Sequence, residues 1–252
     1  MGIFAQFFSS ESKENKKIRA QFKNEKYFKK EINYFNKIIN ILIEDNKEYK
    51  LKHGENTAYQ AINLTLKYNQ ILECCYSQGD TVQEIIPYFH KAIQNFSHGW
   101  SEEYQGYSLL LQMVSLGILL DIPENEFQKI KDFIYKADKS KIEEIWKPDS
   151  LIFYLLGDQD KKRDSTFPAY SKLYQITQQS KTEAETSLGK YLDNWYGMHK
   201  EEPWYNTHLR DTGYSGYWAW EVAAVVKVKG LDDSRFKNNP YYPYDMVHWK
   251  EK

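Results

Sequence analysis

Apolar residues in this chain recur every three or four positions, and no stretch alternates apolar with polar. A helix brings residues three and four apart onto one face, whereas a half-buried strand needs a period of two. The pattern therefore predicts an all-α protein: a two-part helical bundle with short connecting loops. From about Ser12 to Asp45, one face carries Ile18, Phe22, Phe28, Ile32, Phe35, Ile39 and Leu42, and the other is rich in Lys and Glu. "KHGEN" ends that helix. A second, over about 55–77, is expected to turn Ala58, Ile62, Leu66, Asn69 and Leu72 inward. It should stop at Gly79, which tolerates the left-handed backbone past a helix end.

"TVQE" (81–84) reads as a capping box, in which a hydroxyl and a glutamate three residues later satisfy each other's backbone. Pro87, just behind it, predicts a kink or a late start. Further helices are expected over about 102–119, from Pro123 onward, near Pro148, over Pro168–Thr177, behind a second box "TEAE" (182–185), and over Gly216–Lys229. The division falls near Asp121, giving an N-terminal helical domain over 1–121 and a C-terminal one over 122–252.

Composition narrows the function. The 252 residues carry a formal charge of −1, which names no polyanionic partner, although residues 1–52 hold twelve Lys/Arg against seven Asp/Glu. Cys74 and Cys75 are adjacent, where a disulfide is strained, so reduced thiols inside a helix are expected. "MGIFAQFFSS" has neither a basic leader nor a cleavage site, and Phe7 stands where myristoylation needs Ser or Thr. "YSLLLQMVSLGILL" (107–120) is too short to span a membrane and fits a core helix. No phosphate loop, GxGxxG, GxSxG or HExxH occurs, and the six histidines do not pair at metal spacing. No cofactor and no metal are expected.

One carboxylate stands out. In "YSGYWAWEVAAVV", Glu221 lies among aromatic and apolar residues, where desolvation raises a carboxyl pKa. A general acid is made the same way, with His208 as a candidate companion. Buried structural carboxylates are commoner, so the reading favours a packed helical centre with no catalytic residue. Besides a helical enzyme using Glu221, an alternative is a nucleic-acid module using the basic, aromatic-interleaved residues 13–30.

The segment "GYWAWEVAAVVKVKGLDDSRFKNNPYYPYD" resembles the C-terminal signature of the PoNi immunity proteins, which accompany PoNe-type DNase toxins. "LGKYLDNWYGMHKEEPWYNTH" (188–208) is similar to the same family, as are "YSQGD" (76–80) and the central apolar helix. The signature residues are Tyr217, Trp218, Trp220, Glu221, Asp232, Asp233, Pro240, Tyr241, Tyr242, Pro243, Tyr244 and Asp245. The resemblance implies a non-enzymatic bacterial cytoplasmic protein that binds and neutralises a cognate DNase in interbacterial competition of the type VI secretion kind. It implies neither direct nucleic-acid binding nor a membrane. A DNA-cleaving cleft is basic, so its inhibitor should present carboxylates. Glu102, Glu103, Asp121, Glu124, Glu126, Asp158, Asp160 and Asp164 are the candidates for that contact.

Overall fold

The computed structural model describes residues 17–101, 106–141, 147–165 and 167–250, and among these every regular element is helical. The all-α expectation holds. Ten α-helices follow in order: α1 (Glu25–His53), α2 (Ala58–Gln78), α3 (Val82–Phe96), α4 (Tyr107–Leu119), α5 (Glu124–Lys139), α6 (Ser150–Leu155), α7 (Pro168–Thr177), α8 (Lys181–Met198), α9 (Trp220–Lys229) and α10 (Tyr244–His248). The first three pack side by side. α4 lies against α9, with α6, α7 and α8 beyond. No helix among the described residues is long and apolar enough to cross a membrane.

Local chemistry sets most helix ends. Asn24 caps α1 by accepting the Tyr27 amide, so that helix begins at Glu25 rather than Ser12 and continues to His53. Phe28, Phe35 and Ile39 point into the core as expected, but Phe22 precedes the helix and is 40 % exposed. The face expected for α2 is partly wrong. Ala61, Leu64, Tyr68, Ile71 and Leu72 are buried while Leu66 is 39 % exposed, because α2 packs between α1 and α3 and buries a broader arc than one stripe. Gly79 is left-handed, at φ 103°, as α2 ends. The Thr81–Glu84 box forms, and α3 runs from Val82 straight through Pro87, so the late start does not occur.

Three further boundaries differ from expectation. Pro123 stands outside α5 as its cap, not in its first turn. The box at the head of α8 is Ser180 with Glu183, two residues before the one read at Thr182. α9 starts at Trp220, not Gly216, because residues 213–219 run as an irregular strap across α1 and α2. The helix expected from 102 starts, among the described residues, at Tyr107. Both cysteines are buried in α2.

Candidate functional site

Glu221 occupies the first turn of α9 and is 7 % exposed. Its neighbours differ from those of a continuous helix, since Tyr217 and Trp218 belong to the strap. One side-chain donor reaches it: the Trp195 indole N–H, from α8, donates to Oε1 at 2.6 Å. Burial pushes its carboxyl up to about 7, and the indole bond only partly opposes the shift. Around this pair stand Tyr170, Tyr191 and His199. Tyr191 OH is buried without a partner, and its phenol is raised by burial and by Glu221. His199 is 4 % exposed, and its Nδ1–H donates to the Trp195 carbonyl at 2.8 Å, leaving Nε2 without a partner. Burial lowers the His199 pKa, so the ring favours its neutral form.

His208, the candidate companion, sits elsewhere. Its Nδ1 lies 2.9 Å from the Tyr217 hydroxyl and its ring stacks on Phe22 at 4.1 Å. No hydrogen bond joins His208 to Glu221 among the described residues. The carboxylate and its indole donor tie α9 to α8, and among the described residues no acid–base pair comes together there.

A half-buried carboxylate escaped the sequence reading. Glu73, on α2, receives the Ser215 hydroxyl, the Gln112 amide at 2.6 Å and the Trp220 indole at 3.4 Å. Burial raises its pKa against those three donors. The strap makes further bonds beside it. Gly213 N–H donates to Glu31 Oε2 at 2.8 Å, Tyr214 N–H to Tyr27 OH at 2.9 Å, and Ser77 Oγ to the Ser215 carbonyl at 2.6 Å. Trp218 indole N–H then donates to Ser77 Oγ at 2.9 Å. Gly216 allows this approach. It has φ +121°, and an added Cβ would sit 2.3 Å from both Ser77 Oγ and Trp218 Nε1. The sequence signal for Glu73 was a polar residue inside an apolar helix, "QILECC"; its partners come from α4, the strap and α9, 39, 142 and 147 residues away, and could not be read locally.

The remaining signature residues fasten the C-terminal tail. Asp233 is buried and accepts from the Tyr242 hydroxyl at 2.7 Å, with His248 Nε2 at 2.8 Å. Asp232 accepts the Ser234 amide, which holds its carboxyl below the usual range. Tyr244 stacks on His248 at 4.3 Å, Pro243 precedes α10, and Pro240 is exposed. The Tyr241 carbonyl receives the Ala219 amide at 2.9 Å. Asp245 binds Arg19 Nε at 2.8 Å, and the same guanidinium donates to the Tyr76 and Asp80 carbonyls. Arg19 and Lys23, which donates to the Arg210 carbonyl, are thus engaged in tying the chain's two ends together. They were read as part of the basic segment 13–30, of which residues 13–16 lie outside the described residues.

The structure disperses the acidic candidates. Asp121, left-handed at φ 48°, is held by Lys227 at 2.8 Å and Lys250 at 3.1 Å. Glu124 pairs with Lys131 at 2.7 Å, and Glu126 with His90 at 2.6 Å. Asp158 receives the Tyr135 hydroxyl at 3.4 Å. Asp160 lines a polar cleft of about 520 Å³ with Tyr154, Lys161, Lys162 and Tyr174, and Asp164 is exposed. Glu102 and Glu103 lie outside the described residues.

With this geometry in place, comparison with known proteins is informative. The family model for PoNe immunity proteins (PoNi), N-terminal, matches residues 8–132, and that for PoNe immunity proteins (PoNi), C-terminal, matches residues 147–246. No curated protein matches. The crystal structure of protein PA2201 from Pseudomonas aeruginosa is similar with a TM-score of 0.66 at 16 % identity, covering 94 % of this chain and 91 % of that one. At that identity the likeness is one of fold.

Proposed function

The chain belongs to the PoNi family of PoNe immunity proteins, and on that premise we propose that it neutralises a cognate PoNe-type nuclease by binding it. The observation that carries this reading is the match of both family models, in order, across 8–132 and 147–246. The reading places the protein in the bacterial cytoplasm, as protection in interbacterial competition of the type VI secretion kind. The division into 1–121 and 122–252 is part of it.

The arrangement around Glu221 supports binding over chemistry. That carboxylate is enclosed by Trp195 and the helices it joins, and His208 is engaged with Tyr217. A nuclease that holds phosphates presents a basic face, and carboxylates on an inhibitor meet it with a gain in association rate. Asp160 and Asp164 remain candidates for that contact, whereas Asp121, Glu124 and Glu126 already have partners. Co-expression in bacteria with the nuclease encoded beside this gene is the test. Survival together with co-purification of the two chains is the expected result. Loss of viability despite full expression of the folded protein would overturn the assignment.

A further inference from the structure

The loop between α8 and α9, with Phe22 packed against it, carries a partly exposed aromatic ridge. Tyr205 stacks on Tyr196 at 4.5 Å, Tyr196 meets the edge of His208 at 6.5 Å, and His208 stacks on Phe22 at 4.1 Å. These rings are only partly buried, Phe22 is 40 % exposed, and Leu209 at the end of the run is 73 % exposed. Scattered single apolar residues are ordinary on a surface, but a contiguous run of rings is the composition of an interface centre.

The loop is also held rigid. Asn206 adopts the left-handed backbone at φ 60°, which asparagine tolerates better than most residues. Its amide N–H donates to the Tyr196 hydroxyl at 3.1 Å, and that hydroxyl donates back to Asn206 Oδ1 at 2.9 Å. Two hydrogen bonds thus lock the loop to the ring beneath it. A surface ordered before binding loses less entropy when a partner docks.

Its charge identifies the partner. Residues 193–211 hold four carboxylates, Asp193, Glu201, Glu202 and Asp211, against two cations, Lys200 and Arg210, and Lys23 adds a third where it donates to the Arg210 carbonyl. Among the described residues, the ion pair of these carboxylates is Glu201 with Lys200, at 3.9 Å and with both side chains exposed. Burial raises the Glu202 carboxyl, and no cation offsets it. This differs from Asp121, Glu124 and Glu126, whose charge is already met inside the molecule. An inhibitor of a basic cleft needs carboxylates that are still free.

We propose that the ridge from Tyr205 to Phe22, with Leu209 projecting and Glu202 and Asp211 in the same loop, docks on the basic DNA-binding face of the nuclease. The proposal rests on the immunity reading and specifies its surface. Exposed Leu209 and the outer face of Tyr205 enter the partner's apolar pockets, while the carboxylates take the places of DNA phosphates.

The test is titration calorimetry against the neighbouring-gene nuclease carrying an inactivating substitution, with three variants. Leu209→Asp and the double variant Glu202→Lys/Asp211→Lys should each weaken binding by about tenfold or more. Asp132→Lys, on the exposed face of α5, is the control and should change it by less than about twofold. Near-ultraviolet circular dichroism establishes that each variant is folded; Leu209 and Asp211 are exposed, so they should be. If wild type binds and both ridge variants bind equally well, the ridge is not the interface. If wild type fails to bind, the immunity reading falls and the ridge falls with it.

Discussion

Glu73, half-buried, and Glu221, buried, are both carboxylates beside tryptophans, and they are held in opposite ways. Glu73 collects three side-chain donors from α4, the strap and α9, whereas Glu221 has one, the Trp195 indole. The first joins segments distant in sequence. The second links α9 to α8, the helix before it in the chain. A carboxylate with many donors is a structural joint. One with a single donor, enclosed by rings, is a desolvated acid held in place by packing. An aromatic sequence neighbourhood drew attention to Glu221, yet the residue that organises the junction between N- and C-terminal parts is Glu73.

The comparison breaks first at Gly216. If the strap over Glu73 is the joint described, Gly216→Ala should destabilise the fold by about 4 kcal/mol, from a disfavoured backbone and a clash with two bonded atoms. Gly213→Ala also has a positive φ, +88°, but nothing lies within 4 Å of its added Cβ. It should lose only about 1 kcal/mol. Denaturant unfolding of the two variants measures the difference, and equal losses would mean that the close approach to Ser77 is unimportant.

Glu73→Ala should follow, at about 2 kcal/mol, because it strands part-buried donors on Ser215, Gln112 and Trp220. A loss under about 1 kcal/mol would show those donors finding water instead.

Glu221 separates from Glu73 by its pH signature. Its folded pKa is about 7, above the usual 4.5, so between these values the folded state holds more protons than the unfolded one. Stability contributed at this site therefore falls as pH rises through that window and levels off above it. The fall amounts to at most about 3 kcal/mol. Glu221→Gln keeps an acceptor for Trp195 and removes the titration. Its denaturation midpoint should stay level from about pH 5 to about pH 8 relative to wild type. A parallel decline in both proteins would assign the pH dependence elsewhere.

The smallest effect concerns register. Ser180→Ala should lose about 1 kcal/mol as the cap of α8, and Thr182→Ala almost nothing. Thermal melts of the pair decide between the observed box and the one read two residues later.

The regions legible in the sequence were those whose cause is local. The Thr81–Glu84 box, the Gly79 and Gly230 stops and the Pro168 start follow from residues a few positions apart. The inner face of α2 was misread because a helix packed on two sides buries more than one stripe, and Leu66 fell outside that arc. The strap was read as helix because Tyr217, Trp218 and Glu221 have helical spacing. What overrides that spacing is Gly216 and the bonds to Ser77 and Glu73, which no local pattern encodes. Acidic residues could be counted in the sequence, but not their pairing: Lys227 and Lys250 reach Asp121 from far along the chain. The ridge at Tyr196, Tyr205 and Phe22 likewise depends on the N-terminal segment lying against the loop after α8.

The most direct test is inhibition of the nuclease's DNA cleavage in a purified system, titrating wild type and Glu221→Gln side by side. Binding without chemistry predicts that cleavage stops only when the immunity protein reaches stoichiometric amounts, and that the folded Glu221→Gln protein inhibits equally well. Inhibition at catalytic amounts, or its loss in folded Glu221→Gln, would contradict the account and make Glu221 an active-site acid.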